Sequence, residues 1–205
     1  MVLDVESIAL ELGRTGLAVR EGFLPADVIA ALRDRAQSAH VRGEFRAAAV
    51  GAGASRQVDA SVRGDVTKWL DPSSASPAEN IYFDAVEDLR AAVNQCLQLG
   101  AFEVEAHYAL YPPGAAYARH CDQPRANGAR AVSTVLYLNE DWSEADGGAL
   151  RVHLGDSSSA HQAEFREVWP RAGVFVCFLS DVFEHEVTVA RRARWSVAGW
   201  LRRRR

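Results

Sequence analysis

The sequence predicts an α+β fold built on a β core, and three observations lead to it. Helical periodicity is confined to roughly the first hundred residues, and after Gly100 the hydrophobic period drops to two. Beyond that point the apolar runs are short and evenly spaced, each bounded by turn residues such as "PPG", "ANG", "EADGG" and "PRAG". Helices followed by strands argue against a parallel α/β sheet, and seven or eight short strands at regular spacing make a sandwich, jelly roll or barrel. The chain has 205 residues, 48% hydrophobic and 24% charged, enough for one domain with a true core. No internal repeat divides it.

The elements follow in order. "VESIALELG" sets Val5, Ile8 and Leu12 at helical spacing, with Gly13 as the expected stop. "GLAVREGFLP" (16–25) is short and β-leaning, closed by Pro25. In "PADVIAALRDRAQSAH" the proline suits a first helical turn, and Val28, Leu32 and Ala36 form an apolar stripe. The small-residue stretch "RAAAVGAGASRQVDAS" (46–61) has no period; a loop of that length within a compact domain is usually functional or disordered. "SPAENIYFDAVEDLRAAVNQCLQLG" (76–100) is the strongest helix. Ser76 and Glu79 make a capping-box pair, Tyr82, Val86, Leu89, Val93 and Leu97 line one face, and Gly100 is the expected end. The strands are then "FEVEAHYALY", "AVSTVLYLN", "GALRVHL", "AEFREVWP", "GVFVCFLS", "HEVTVA" and "RWSVAGWL".

Composition removes several function classes. No run approaches the 18 apolar residues of a membrane span, and the N-terminus carries acids where a secretory signal carries bases, so a cytoplasmic protein without a membrane partner is expected. Cys96, Cys121 and Cys177 are widely spaced and odd in number, which suits reduced thiols better than a disulfide framework or a cysteine zinc module. The net charge of −4 provides no basic field for nucleic acid. The arginine-rich end, "RRARWSVAGWLRRRR", reads as a solvated terminus, with a contact to an acidic partner or nucleic acid as the alternative.

The candidate chemistry begins in "YARHCDQPR" (117–125). If this is a strand, His120 and Asp122 share one face, offering a nitrogen and a carboxylate side by side; a polar turn is the competing reading. His185, in "SDVFEHEVTVA", adds a third group at the start of a distant strand. Two histidines and one carboxylate are the facial triad of non-haem iron, which leaves the opposite face open. Nine residues later comes Arg194, a planar fork for a carboxylate, with Ser196 two further on the same strand face. His107, His153 and His161 read as core or surface residues. Cys121, Glu184 and Glu186 point away from the ligands in regular strands.

At these residues the sequence resembles the 2-oxoglutarate/Fe(II)-dependent dioxygenases. Within them it is similar to the prolyl 4-hydroxylase branch that includes the hypoxia-inducible-factor prolyl hydroxylases, in a minimal, bacterial-type form. The matching stretches are "SVRGDVTKWL", "YPPGAAYARHCDQP", "VLYLNEDW", "GGALRV", "LSDVFEHEV" and "ARWSVAGW", in family order over about two-thirds of the chain. The resemblance implies a double-stranded β-helix (jelly roll) core at 101–201, flanked by N-terminal helices. Residues 1–100 would be mostly helical support and flap and 202–205 a basic tail, all within a single domain, 1–205. His120, Asp122 and His185 would hold Fe(II). Arg194 would pair with the distal carboxylate of the cosubstrate 2-oxoglutarate, aided by Tyr137, with Tyr111 near its iron-bound end. Where the animal enzymes have a threonine this chain has Ala198, so Ser196 would supply the hydroxyl. The segment from Tyr111 to His120 is also one residue shorter than in those enzymes. Arg63, Asp65 and Trp69 would shape a flap closing over the protein substrate, with Arg130 paired to Asp65.

The implied reaction consumes O2, converts 2-oxoglutarate to succinate and CO2, and hydroxylates a prolyl C4 of an intracellular protein, with ascorbate as an accessory reductant. A translation component is the first candidate substrate. The rivals are the same chemistry on a small molecule or alkylated nucleic acid, and a non-catalytic jelly-roll module; the net acidity disfavours nucleic acid.

Overall fold

Three helices open the fold in the computed structural model, which describes residues 4–49, 57–123, 128–155 and 164–204. The first, α1 (Val5–Thr15), starts where the Asp4 carboxylate accepts the Ser7 N–H at 3.0 Å. It passes through Gly13, the expected stop, and ends at Gly16. There φ is 75° and the N–H returns to the Leu12 carbonyl at 2.8 Å. Gly13 instead sits inside the helix against Leu97. The second, α2 (Ala26–Val41), begins just after Pro25, which is its cap residue rather than part of the first turn. The third, α3 (Pro77–Leu97), has the expected capping box: the Glu79 carboxylate accepts the Ser76 N–H at 2.6 Å while Ser76 Oγ accepts from Glu79. It is left through Gln98 (φ 54°), two residues before Gly100. Asn94, bonded to both backbone groups of Ala101, ties the helix end to the next strand.

The strands are β1 (Leu17–Arg20), β2 (Arg46–Ala47), β3 (Val66–Trp69), β4 (Ala101–Tyr111), β5 (Tyr117–His120), β6 (Arg130–Tyr137), β7 (Leu150–His153), β8 (Phe165–Val168), β9 (Phe175–Leu179), β10 (His185–Val187) and β11 (Arg194–Arg203). They form a seven-stranded sheet ordered β1-β9-β6-β11-β4-β3-β2 and a four-stranded sheet ordered β5-β10-β7-β8, antiparallel throughout. This is the expected jelly-roll arrangement. The first hundred residues do more than support it, because β1, β2 and β3 all join the large sheet. These strands are too short for a period of two to stand out.

Two apolar cores result. Ile8, Leu12, Leu32, Leu89 and Val93 of the helices pack on one face of the large sheet, against Tyr108, Leu110, Val197 and Leu201. On the opposite face, Ala109, Tyr111, Tyr137, Val176 and Phe178 meet Leu150, Val152 and Val187 of the small sheet. The arginine-rich end belongs partly to the fold. Arg202 pairs with Glu103 at 2.6 Å and Glu105 at 3.3 Å, and the Arg203 N–H reaches the Ala129 carbonyl. No described helix is long and apolar enough to cross a membrane. Residues 50–56 of the unperiodic stretch, 124–127 with part of the "ANG" turn, His161 and Arg205 lie outside the described residues.

Candidate metal centre

His120 closes β5 and His185 opens β10, and the two residues face each other as a register pair across these antiparallel strands. Their imidazole centroids are 4.2 Å apart. Asp122 does not share a regular strand face with His120 as expected, because the chain leaves the sheet at Cys121. The Cys121 thiol points away from the ligands and donates to the Ser180 carbonyl at 3.1 Å, and the following bend swings Asp122 back. Asp122 Oδ1 lies 3.6 Å from His120 Nε2, and Oδ2 lies 3.7 Å from His185 Nε2. One ligand atom from each of the three residues falls within 4.8 Å of the others.

Their partners prepare these groups for a cation. His120 Nδ1 is 2.8 Å from the Ala118 carbonyl, and His185 Nδ1 faces the Phe183 carbonyl at 3.4 Å. Protons held on Nδ1 leave both Nε2 lone pairs free. Asp122 Oδ2 accepts from Ser133 Oγ at 2.7 Å and Trp200 Nε1 at 3.0 Å. Burial would raise the Asp122 pKa, but His185, His120 and the Ser133 hydroxyl outweigh it and hold the carboxyl well below the usual carboxylate range. Burial lowers His185 to about 4, which keeps it neutral and able to ligate at pH 7.

The pocket runs from this cluster to Arg194, and Ser196 also lines it. Arg194 is 2% exposed, with Nε anchored on the Gly148 carbonyl at 2.8 Å. Gly148 has φ +68°, and a Cβ there would come within 3.0 Å of Arg194 Cδ, so glycine allows the close approach. The guanidinium lies 5.0 Å from the ring centres of both Tyr111 and Tyr137. Burial raises both phenols, so each stays protonated and can donate. The buried Tyr137 hydroxyl has no hydrogen-bond partner among the described residues, and no described carboxylate pairs with Arg194.

On the other side, Arg63 makes a bidentate pair with Asp65 at 2.6 and 3.0 Å, and both line the pocket. Burial would lower the Arg63 pKa, but the Asp65 contact outweighs it and raises it. The expected Arg130–Asp65 pair is absent. Arg63 already fills Asp65, while Arg130 lies 3.5 Å over the Trp200 ring and pairs with Glu105 at 3.2 Å. Trp69, 51% exposed, stands edge-on to the pocket residue His107 and tilted toward Trp200.

Comparison with known proteins accords with this geometry. Residues 106–202 match the 2OG-Fe(II) oxygenase superfamily model. A crystal structure of a Pseudomonas putida prolyl-4-hydroxylase is 40% identical and superposes with a TM-score of 0.86, covering 98% of this chain and 99% of that one. The chain belongs to the 2OG-Fe(II) oxygenase superfamily. A hypoxia-inducible factor prolyl hydroxylase of Caenorhabditis elegans is 37% identical over 98 residues, which are 46% of this chain and 13% of the worm protein. A Trichoplax adhaerens prolyl hydroxylase solved with a hypoxia inducible factor peptide fragment shares the fold, with TM-score 0.80 at 22% identity over 96% of this chain and 89% of that one.

As a 2OG-Fe(II) oxygenase, the protein uses Fe(II), 2-oxoglutarate and O2, and the residues present fit the first two. Free Nε2 atoms and an ionised carboxylate suit Fe(II). A buried guanidinium beside an unpartnered phenol suits a carboxylate. Several contributors carry no mark in the sequence: Ser133 and Trp200 as donors to Asp122, His107 in the pocket wall, and Tyr117 against His120.

Proposed function

We propose that this oxygenase hydroxylates a prolyl residue, at C4, of a protein substrate. In this reading His120, Asp122 and His185 hold the iron, and Arg194 and Tyr137 clamp the distal carboxylate of 2-oxoglutarate. Tyr111 and Ser196 line the cosubstrate's seat. Iron and 2-oxoglutarate together supply the oxidation by O2, with succinate and CO2 as co-products. The side chains position, orient and exclude water. Arg63, Asp65 and Trp69 shape the substrate side of the pocket.

The observation that carries the reading is the cluster of aromatic rings beside the iron ligands, inclined to one another so that they make an angled cleft. His107 and Trp200 have ring centres 5.5 Å apart, and Trp69 continues the cluster toward solvent. A prolyl ring is compact, puckered and apolar, and packs well between inclined aromatic faces. Likeness to the Pseudomonas prolyl-4-hydroxylase over nearly the whole chain supports the same assignment. The free thiols of Cys96, Cys121 and Cys177 suit a reducing, cytoplasmic setting.

The test begins with Fe(II)-loaded protein, 2-oxoglutarate and candidate proteins, translation components first. Mass spectrometry should find a proline carrying one added oxygen, stoichiometric with succinate. Turnover of 2-oxoglutarate stimulated only by a small molecule or by alkylated nucleic acid would overturn the prolyl assignment. A protein that never converts 2-oxoglutarate to succinate would overturn the enzymatic reading.

A further inference from the structure

Tyr117 and His120 are three residues apart in β5, a spacing that puts side chains on opposite faces of a regular strand. Their rings are nevertheless stacked, with centroids 3.6 Å apart and planes 15° from parallel. The register explains the stack. His185 pairs with His120 and Val187 with Tyr117, so two steps on β10 match three on β5, and the bulge turns both rings to the same side.

A second contact reaches the same tyrosine from the free edge of β5. Residues 62–64 run along that edge as a short extra strand: Arg63 bridges Tyr117, the Ala118 N–H donates to the Val62 carbonyl at 2.8 Å, and the Gly64 N–H donates to the Ala116 carbonyl at 2.9 Å. Glycine eases this approach, since a Cβ at Gly64 would crowd Ala115, meeting its Cβ at 3.0 Å and its Cα at 3.3 Å. The Arg63 guanidinium lies over the Tyr117 ring, 4.8 Å from its centre, and buried Asp65 holds that guanidinium by two hydrogen bonds. One contiguous chain of contacts therefore leads from Asp65 through Arg63 and Tyr117 to His120.

We propose that Tyr117 is a positioning residue for the metal ligand His120, and that the Arg63–Asp65 pair holds the Tyr117 ring in place. The stack limits rotation of the imidazole about χ2, which the single Nδ1 contact to Ala118 leaves only partly fixed. Segment 62–65 and the metal site are then mechanically joined, so a displacement of that segment loosens His120. This rests on the reading of His120 as a metal ligand.

The test uses the full chain and two measurements. In the metal-free protein, the Tyr117 ring should shift the His120 ring protons upfield in the NMR spectrum. Tyr117→Leu removes the shift and Tyr117→Phe keeps it, while Arg63→Gln reduces it. In Co(II) titrations Tyr117→Leu should weaken binding about 10- to 100-fold and alter the ligand-field spectrum, as loss of an orienting partner does. Tyr117→Phe should match wild type, and Arg63→Gln should fall between them. The proposal is overturned if Tyr117→Leu binds Co(II) with unchanged affinity and spectrum, if Tyr117→Phe loses as much as Tyr117→Leu, or if Arg63→Gln leaves both readouts unmoved. Failure of the metal reading looks different: His120→Ala would leave Co(II) binding intact, while the NMR shifts of the wild-type protein still report the stack.

Discussion

Toward the helices, β4 and β11 present Tyr108, Leu110, Val197 and Leu201, buried among aliphatic side chains. Toward the small sheet the same strands present His107, Tyr111, Arg194, Ser196 and Trp200, which line the pocket. One residue of register separates the two sets. On the first face burial is favourable by itself, at about 25 cal/mol per Å² of apolar surface. The second face buries a cation that has the Gly148 carbonyl but no carboxylate, and beside it a phenol left without a partner among the described residues, an arrangement that costs stability until a ligand supplies them. A strand with period two can thus divide folding and chemistry between alternate side chains. The two faces should fail in different ways.

The largest effect is expected at Asp122. Asp122→Ala removes the only carboxylate of the triad and should take 2-oxoglutarate turnover below detection, leaving the circular dichroism of the helices and sheets unchanged. Residual turnover within tenfold of wild type would sink the iron assignment. Next comes a matched pair on one strand. Arg194→Ala removes a buried carboxylate clamp worth about 2–5 kcal/mol, which should raise the 2-oxoglutarate requirement at least about thirtyfold while the urea midpoint moves little. Leu201→Ala, on the helix face, should cost about 2–5 kcal/mol of stability and leave that requirement alone. If the two variants shift the same readout, the division between the faces is wrong.

These expectations also mark how far the sequence could be read. The capping box of α3 was visible because a cap is local, three residues from end to end. The end of α1 was not, since Gly13 and Gly16 are both glycines and only Gly16 takes the left-handed turn. His120, Asp122, His185 and Arg194 stood out as a set because each type is rare in a β-rich interior and their order matches a familiar pattern. Ser133 and Trp200 look like ordinary strand residues, and they reach Asp122 only once strands distant in sequence come together. Tyr117 was hidden by a bulge, which is a property of how β5 pairs with β10 and leaves no mark in either strand alone.

A pH measurement sharpens the same contrast. Burial, and then the Arg63 charge, lower His107 to about 4 from an ordinary 6.5. Between those values the unfolded chain binds the proton and the folded one does not. Stability is therefore intact above about pH 6.5 and falls as pH drops toward 4, by up to about 1.4 kcal/mol per unit for this group. Buried His185, also near 4, adds the same trend in metal-free protein. His107→Phe should flatten the fall in urea midpoint between pH 6.5 and 4.5 without abolishing it. An unchanged pH profile would mean that His107 is protonated in the fold.

Arg130 carries the smallest effect and the sharpest correction. Were it the partner of Asp65, Arg130→Ala would strand a buried carboxylate, and its phenotype would copy that of Arg63→Ala. In the structure it lies flat on Trp200 and shares Glu105 with Arg202, at a partly exposed site. Loss of a cation–π contact there is worth about 0.5–1 kcal/mol, and the Arg202–Glu105 pair remains to hold the carboxylate. Arg130→Ala should therefore lower the urea midpoint slightly, redden Trp200 fluorescence as water reaches the indole, and leave Co(II) affinity at the wild-type value. Arg63→Ala should instead lower the urea midpoint markedly and weaken Co(II) binding, because it empties the bidentate seat on buried Asp65 and frees the ring that steadies His120. A double-mutant cycle between Arg130 and Asp65 should give a coupling close to zero, and a coupling above about 1 kcal/mol would restore the pairing that the resemblance implied.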